Sequence, residues 1–225
     1  YFEHNKLEHG PLIVARLQAG ETCALVSDAG MPAISDPGET LVAACAQAGI
    51  PVYVVPGPTA ALSALVLSGL PTGRFTFEGF LSVNKRGRKE HLEAVRGETR
   101  TMIFYEAPHK LRKTLSDFSK VFGPDRKIAL CRELTKVHEE VWRTTVGEAA
   151  AHYREQEPRG EFVLVVAGGE APAAPQQGYT LEEAAALARE LAAAGLSSSE
   201  AARQAAQETG YRKSQLYTAL LESQS

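Results

Sequence analysis

Short apolar runs alternate with amphipathic segments over the first 170 residues. Runs rich in β-branched and aromatic residues are typical of strands, and they predict strands at 22–27, 52–57, 74–81, 100–107, 127–134, 139–148 and 160–169. Apolar residues at three- and four-residue spacing predict helices at 39–49, 58–69, 88–96, 108–121 and 147–156. The alternation predicts an α/β fold with a βαβ unit at 22–57, and the adjacent last strands are expected to pair antiparallel.

The pattern changes after residue 169. The stretch EAPAAPQQGYT has no apolar period and predicts a linker. Beyond it the chain is rich in alanine and helical throughout, with Gly195 ending one helix, Ser197 capping a second and Gly210 turning the chain into a third. The last two helices are typical of a helix-turn-helix motif.

These changes predict a division into four parts. They are an N-terminal α/β domain at 1–73, a second α/β domain at 74–170, a linker at 171–180 and a C-terminal helical module at 181–225. The chain starts without methionine in a helix-like run, so we expect the N-terminal domain to be incomplete at its start.

Composition narrows the class of protein. With 225 residues, 44% hydrophobic and 23% charged, the chain is predicted to be a soluble cytoplasmic protein. No apolar run approaches the roughly 20 residues that cross a bilayer, so no membrane is expected. Three cysteines without CxxC spacing indicate core residues in a reducing compartment and no metal site.

Charge is concentrated in one region. Residues 85–136 carry fourteen Lys and Arg against seven Asp and Glu, whereas the whole chain has a net charge of −3. The densest part, NKRGRK at 84–89, is predicted to be a loop that suits the phosphates of RNA or DNA, although a solvated surface loop has the same composition. The predicted RNA-binding residues here are Lys85, Arg86, Arg88 and Lys89.

Two small-residue turns, at 28–30 and 36–38, follow the first predicted strand. Each pairs an aspartate with a glycine, and neither a GxGxxG nor a GxxxxGK[ST] motif is present to bind phosphate. Acids and close-approaching glycines at the carboxyl end of a strand suit a ligand with a cationic part, such as the sulfonium and ammonium of S-adenosylmethionine. Alternatively, Asp28 and Asp36 only form turns and cap the next helix.

Six motifs occur in an order that resembles the tetrapyrrole methylase superfamily. They are SDAGMPAISDPG, VVPGPTAALSALVLSGLP, FTFEGFL, MIFYEAPHKL, CRELTKVHEE and GEFVLVVAG. The likeness runs from about residue 1 to residue 169 and is nearest to the branch that methylates small-subunit ribosomal RNA.

The resemblance implies a two-domain class III methyltransferase fold with S-adenosylmethionine in the cleft between the domains. It implies methylation of a cytidine ribose 2′-hydroxyl in the decoding region of 16S rRNA, and a homodimer. The implied cofactor-binding residues are Asp28, Ala29, Gly30, Met31, Pro32, Pro56, Gly57, Pro58, Thr59, Ala60, Tyr105, Ala107, Leu130, Arg132 and Gly160, with Glu161 on the neighbouring strand.

A ribose hydroxyl is a poor nucleophile until its proton is leaving, so an acid–base residue is useful beside a correctly positioned methyl donor. The candidates are Glu106, His109 and Glu133, followed by Glu3 and His4. Each of them has a structural alternative, such as capping a helix. Arg132 and Lys136 are candidates for holding a phosphate or stabilising an alkoxide.

The C-terminal module is ambiguous. Arg212 and Lys213 start the last helix, where a recognition helix contacts nucleic acid, and they are predicted to bind RNA. From Leu181 onward the chain has six acidic and four basic residues, and this net negative charge does not favour nucleic-acid binding. A purely structural bundle is therefore the alternative. Two other functions also stay open, namely a precorrin-type or diphthine-type methyltransferase and a non-enzymatic helix-turn-helix regulator.

Overall fold

The computed structural model describes residues 6–169 and 179–222. The candidates Glu3 and His4 and most of the predicted linker lie outside the described residues. The chain divides into two compact units, Tyr1–Gly168 and Gly169–Ser225. The predicted boundary at residue 73, inside the first of these units, stays a prediction.

Three helices precede the sheet in the first unit: α1 (Lys6–Gln18), α2 (Glu39–Gln47) and α3 (Ala60–Ser68). Helix α3 begins where the Thr59 side chain accepts a hydrogen bond from the Leu62 N–H, and it ends at Gly69 in the left-handed region. The sequence located this helix through Pro58 near its start and Gly69 near its end, and the structure adds the Thr59 cap.

The predicted strands at 22–27 and 52–57 are wrong. Neither segment has strand structure, and most of their apolar side chains are exposed, with Val26 82% and Val55 87% exposed. A β-branched run becomes a strand only when a neighbour accepts and donates its backbone hydrogen bonds. No described residue pairs with these segments, so of the predicted βαβ unit only helix α2 is present.

The first unit has a five-stranded mixed sheet. Its strands are β1 (Phe75–Phe80), β2 (Thr101–Glu106), β3 (Lys127–Arg132), β4 (Glu140–Thr145) and β5 (Phe162–Val166). Their order across the sheet is β1-β2-β5-β3-β4. Strand β1 is parallel to β2, and every other pairing is antiparallel. The expected antiparallel pairing near the end of this region is confirmed.

Helices cover both faces of this sheet. Helices α4 (Lys85–Ala94), α5 (Pro108–Phe122) and α6 (Val146–Glu155) enclose one core, in which Phe104 and Leu164 of the sheet meet Phe118 of α5. On the other face α3 packs Ala64 and Leu65 against Ile103, Ala129 and Val165. Successive strand residues point to opposite faces of the sheet, so alternate positions along a strand pack against different helix layers.

The predicted basic loop at 84–89 is the first turn and a half of α4. The Asn84 side chain accepts a hydrogen bond from the Arg86 N–H and caps this helix. The sequence-based prediction started this helix at residue 88, three residues too late, because it interpreted the run of cations after Asn84 as a loop.

The second unit contains α7 (Leu181–Ala193), α8 (Ser198–Thr209) and α9 (Lys213–Glu222). Buried alanines on α7 and α8 let the helices approach closely, and Leu216 and Leu220 of α9 complete the core. The three predicted helices and the short turn between the last two are confirmed.

No helix in the described ranges combines the length and the apolar character needed to cross a bilayer.

Candidate functional site

Two glycine-containing loops of the first unit are joined through their backbones. The N–H of Met31 donates to the carbonyl oxygen of Pro58 at 3.0 Å. Gly30 has φ +71°, and a Cβ atom built on it would lie 2.8 Å from the same Pro58 oxygen. The Ser27 hydroxyl donates to the Gly30 carbonyl at 3.2 Å and closes the turn. Only glycine fits at position 30, both for its backbone conformation and for the space available.

Tyr105 ties these loops to the end of β2. The Ala61 N–H, in the first turn of α3, donates to the Tyr105 hydroxyl oxygen at 3.1 Å. Burial raises the pKa of the Tyr105 phenol, and the negative charge of Asp36 raises that pKa further, while the Ala61 N–H lowers it. Tyr105 therefore stays a neutral phenol near neutral pH, and the 36–38 turn lies within electrostatic reach of it.

Two phenylalanines of β1 pack edge-to-face on Tyr105. The ring centroids of Phe77 and Phe80 lie 5.1 and 5.6 Å from the Tyr105 ring. A register shift between Phe77 and Gly79 brings Phe80 opposite Tyr105, so both phenylalanines face the α3 side of the sheet. Sequence reasoning missed these rings and also Asp36 as a neighbour of Tyr105. The three-residue spacing of Phe77 and Phe80 around Gly79 was the available signal for a bulge.

A second polar cluster lies where β3 ends and β5 begins. The Glu161 N–H donates to Glu133 Oε1 at 2.9 Å, and Lys136 Nζ lies 3.0 Å from Glu133 Oε1 and 2.9 Å from Glu161 Oε2. The Glu161 N–H, followed by the Lys136 ammonium, holds the pKa of Glu133 below its usual range. Gly160 has φ +80°, and a Cβ there would lie 2.5 Å from Glu133 Cγ, so this loop also requires glycine. Glu133 is a weak proton acceptor in this arrangement.

The strand register puts Arg132 on the sheet face opposite Tyr105. Arg132 is in register with Phe162 and Glu140, and its Nη2 lies 2.8 Å from Glu140 Oε2. Its Nε is buried and has no hydrogen-bond partner among the described residues. The Leu130 side chain lies on the same face, inside the core formed with α5 and α6. Only the backbone of Leu130 can take part in a site on the α3 side.

Glu106 is a buried residue that holds the turn between β2 and α5. Its carboxylate accepts hydrogen bonds from the Ala107 N–H at 2.9 Å and from the Thr114 hydroxyl. These contacts argue against the predicted acid–base role and give Glu106 a positioning role at the turn that carries Ala107. His109, in contrast, is exposed in the first turn of α5.

Within the described ranges no three His, Cys, Asp or Glu side chains are grouped so that they could hold a metal ion.

The family model described as Tetrapyrrole (Corrin/Porphyrin) Methylases matches residues 2–150. The chain belongs to the tetrapyrrole methylase family. It is 47% identical over 222 residues to "Ribosomal RNA small subunit methyltransferase I" of Synechocystis sp., covering 99% of this chain and 79% of that protein. A protein of the same name from Escherichia coli O157:H7 is 43% identical, covering 99% of this chain and 77% of that protein.

A solved tetrapyrrole methylase has the same fold. The crystal structure of uroporphyrin-III C-methyl transferase from Thermus thermophilus, complexed with S-adenyl homocysteine, matches with a TM-score of 0.51 at 20% identity. The match covers 74% of this chain and 75% of that one. The expected fold class is confirmed.

The predicted RNA-binding residues of this methylase differ in exposure. Lys85, Arg86 and Lys89 are exposed on α4, and the Arg86 Nε pairs with Glu90 Oε1 at 2.8 Å. The prediction for Arg88 needs correction, because its side chain is only 6% exposed and its Nε lies 2.7 Å from Asp117 Oδ2. Arg88 also donates to the Thr114 hydroxyl at 2.8 Å, so its guanidinium is not available to a phosphate.

In the second unit Arg212 and Lys213 are both exposed. The Lys213 ammonium donates to the Ser199 hydroxyl at 2.9 Å, a contact between α9 and the first turn of α8. The acids of α7 lie on a different helix from these cations, and residues 212–221 contain no acid at all. The start of α9 is therefore basic in sequence, although Glu200 of α8 adjoins the Ser199 contact and the module as a whole is acidic.

Proposed function

We propose that the protein transfers a methyl group from S-adenosylmethionine to small-subunit ribosomal RNA. The observation that supports this most directly is the hydrogen bond from Met31 to Pro58, which brings together the two loops that the family resemblance assigns to the methyl donor. The relatives named as small-subunit ribosomal RNA methyltransferases, at 47% and 43% identity over nearly the whole chain, support the RNA substrate. The acceptor we propose within that RNA is the ribose 2′-hydroxyl of a cytidine.

The loop residues suit this donor by their chemistry. When bound, S-adenosylmethionine supplies an electrophilic methyl group on a positively charged sulfonium. Gly30 and Gly57 allow the main chain to come close to a ligand without obstruction by a Cβ atom. The carboxylate of Asp28 is exposed beside them and provides a negative charge for a cationic ligand. In our proposal residues 28–32, 56–60, Tyr105 and Ala107 hold the donor, together with the Gly160 loop.

The fixed backbone accounts for much of the proposed catalysis. Tyr105 anchors α3, and Glu106 anchors the turn at Ala107, so both parts of the proposed donor site are fixed before the substrates arrive. Positioning of this kind holds the two reactants in the geometry that the transfer needs. It lowers the activation free energy by several kcal/mol, on the order of 7–11 kcal/mol in the best cases. In the overall reaction a carbon–sulfur bond breaks, a carbon–oxygen bond forms, and the hydroxyl proton is released.

His109 is the acid–base candidate that its surroundings leave most accessible. Glu106 is buried, and Glu133 is held as a carboxylate by Glu161 and Lys136. We propose that His109 accepts the hydroxyl proton, and we expect His109→Asn to lower kcat about 100-fold. If the kcat and the pH–rate profile of this variant equalled those of wild type, His109 would not be the base, and the hydroxyl proton would be released directly to solvent.

Several broader features belong to the same proposal. A ribosomal substrate places the enzyme in the cytoplasm, with the small subunit or its free RNA as partner. We propose a homodimer, and we propose that the exposed Arg212 and Lys213 help the C-terminal module to dock on RNA. We also retain residue 73 as the boundary between two α/β domains of the first unit.

Methyl incorporation tests the proposal directly. The full protein is incubated with methyl-labelled S-adenosylmethionine and either small ribosomal subunits or free small-subunit RNA, both lacking the modification, and the label is mapped. Label on one cytidine ribose is the expected result. Label on a nucleobase would refute the ribose acceptor, and no label on RNA, together with methylation of a tetrapyrrole, would refute the RNA substrate.

A further inference from the structure

Helix α5 has an outer face that is almost purely basic. Its exposed residues include His109, Lys113, Ser116 and Lys120, spaced by four, three and four positions, so they form one stripe along the helix. Neither Lys113 nor Lys120 has a carboxylate within 4 Å in the described part of the chain. The stripe covers about 16 Å, given the rise of about 1.5 Å per residue.

The single acid of α5 does not offset this charge. Asp117 is the only Asp or Glu between Pro108 and Phe122, and its carboxylate is bound by the buried guanidinium of Arg88. The Arg88 guanidinium neutralises Asp117 from within the protein, and no surface lysine of α5 is used to do so. The lysines of α5 thus keep their charge for an external partner.

The contact between Arg88 and Asp117 also joins α5 to α4. Lys85 and Lys89 flank Arg88 on α4 and are exposed, and Lys113 is the neighbour of Thr114, which Arg88 also binds. The two helices therefore present their lysines on adjoining surfaces of the same layer. We call the four residues Lys85, Lys89, Lys113 and Lys120 the lysine surface.

The placement of these cations opposes the stability of the helices. The first turns of both α4 and α5 contain no acid, and Lys85 stands at the positive end of the α4 dipole, where an acid is preferred. A polyanion bound across the surface would reverse this unfavourable arrangement. Residues 85–136 have an excess of seven positive charges in a chain whose net charge is −3, so the surface also attracts RNA over distance.

The direction of the stripe relates it to the candidate site. It starts at His109, two residues after Ala107, at the end of β2 that carries Tyr105. A strand of RNA lying along α5 would therefore have one end at the sheet edge where the donor loops meet.

We infer that the lysine surface binds the phosphate backbone of the RNA substrate. It guides the RNA strand to the end of β2, where the proposed donor loops meet. This inference rests on the proposed function, because it takes RNA to be the substrate. It adds α5 to the RNA-binding regions predicted from sequence, which were residues 84–89 and the start of α9.

The test compares two charge-neutralised variants of the full protein. Lys113→Gln/Lys120→Gln removes two charges from the lysine surface, and Arg16→Gln/Arg74→Gln, the matched control, removes two exposed charges outside α4, α5 and the C-terminal module. Affinity for purified small ribosomal subunits is measured from 50 to 300 mM KCl, and methyl transfer to the same subunits is measured in parallel. Thermal melting checks that both variants fold.

Each lost phosphate contact reduces the slope of log K against log salt by about 0.7 to 0.9, so the lysine variant should lose about 1.4 to 1.8 from that slope. KM for the subunits should rise about tenfold while kcat and the affinity for S-adenosylmethionine stay unchanged. A slope equal to that of wild type, or an equal loss in the control variant, would overturn the inference. The wild-type protein could also bind the subunits with a salt dependence that requires these lysines and yet transfer no methyl group. That result would refute the proposed function and support the lysine surface as an RNA-binding surface.

Discussion

The backbone N–H of Ala61 donates to the phenol oxygen of Tyr105 at 3.1 Å, across 44 positions of sequence. This bond fixes the first turn of α3 to the end of β2. The loop at 56–60 leads directly into that turn, and it is also the loop whose Pro58 accepts the hydrogen bond from Met31. One phenol therefore supports the geometry of both candidate donor loops.

Tyr105→Phe should weaken both donor binding and the fold. It leaves the Ala61 N–H without its acceptor, at a cost of about 1 to 3 kcal/mol where water cannot replace the bond. We expect about a tenfold weaker affinity for S-adenosylmethionine by calorimetry, with the melting temperature lowered by a few degrees. Tyr153→Phe, on the opposite face of the sheet, is the matched control, and an equal loss of affinity there would contradict the assignment.

Gly30→Ala should separate the two loops. The new Cβ would lie 2.8 Å from the Pro58 oxygen, and a residue other than glycine at φ +71° costs roughly 1 to 2 kcal/mol. We expect the affinity for S-adenosylmethionine to fall at least tenfold. Gly73→Ala is the control because no atom lies within 4 Å of its Cβ position. Normal donor binding by Gly30→Ala would show that this loop is not part of the donor site.

Arg88→Met should destabilise the protein strongly. Its guanidinium is buried against Asp117, and removal of one partner of a buried pair typically costs about 3 to 5 kcal/mol. The neighbouring Arg86, with a side chain 87% exposed, should tolerate the same change within about 0.5 kcal/mol. Urea denaturation of both variants measures the difference. Equal stabilities would contradict the buried role of Arg88.

Acid should weaken the fold through Glu98. Hydrogen bonds from the Arg100 side chain and backbone N–H lower the pKa of Glu98 from 4.5 to about 2. A carboxyl with a lowered folded-state pKa stabilises the fold above its unfolded pKa, so this contribution is complete above pH 4.5 and is lost as the pH falls toward 2. Because the pair is partly exposed, we expect about 1 kcal/mol.

The measurement for Glu98 is the free energy of unfolding as a function of pH. Glu98→Gln should flatten the curve between pH 4.5 and 2, whereas Glu93→Gln, in the exposed pair with Arg96, should leave it as in wild type. A Glu98→Gln curve parallel to that of wild type would show that the Arg100 contact does not persist in solution.

The three cysteines should differ in reactivity. Cys23 is exposed, whereas Cys45 and Cys131 are buried, and burial raises the pKa of the Cys131 thiol to about 11. Since the thiolate is the reactive form, we expect one fast thiol per folded chain with Ellman's reagent and three after unfolding. Cys23→Ser should abolish the fast phase, and a fast phase that persisted would place another thiol at the surface.

The sequence located the elements whose signals are local. Thr59 and Gly69 bound α3, Thr145 and Glu148 form the capping box of α6, and the apolar run at 162–166 became the central strand β5. Signals of this kind depend on neighbours within about four residues, so they can be identified before the fold is known.

Predictions from the sequence were wrong where the outcome depends on strand pairing or on the direction of a side chain. The segments at 22–27 and 52–57 have the composition of strands but no partner among the described residues. Arg88 is a cation in a basic run and was predicted to bind phosphate, yet its side chain turns inward to Asp117, 29 positions away. Composition does not reveal the face of a helix on which a distant carboxylate will lie.

The sequence by itself determined the family, the class of reaction and the two glycine loops, because ordered motifs and turn signals depend on residues that are close together in sequence. Only the tertiary structure decided that Tyr105 supports both loops, that Glu106 and Arg132 face the other layer, and that Arg88 is buried. The physical reason is that strand register and helix packing assign each side chain to one face, and those assignments arise from contacts between residues far apart in sequence.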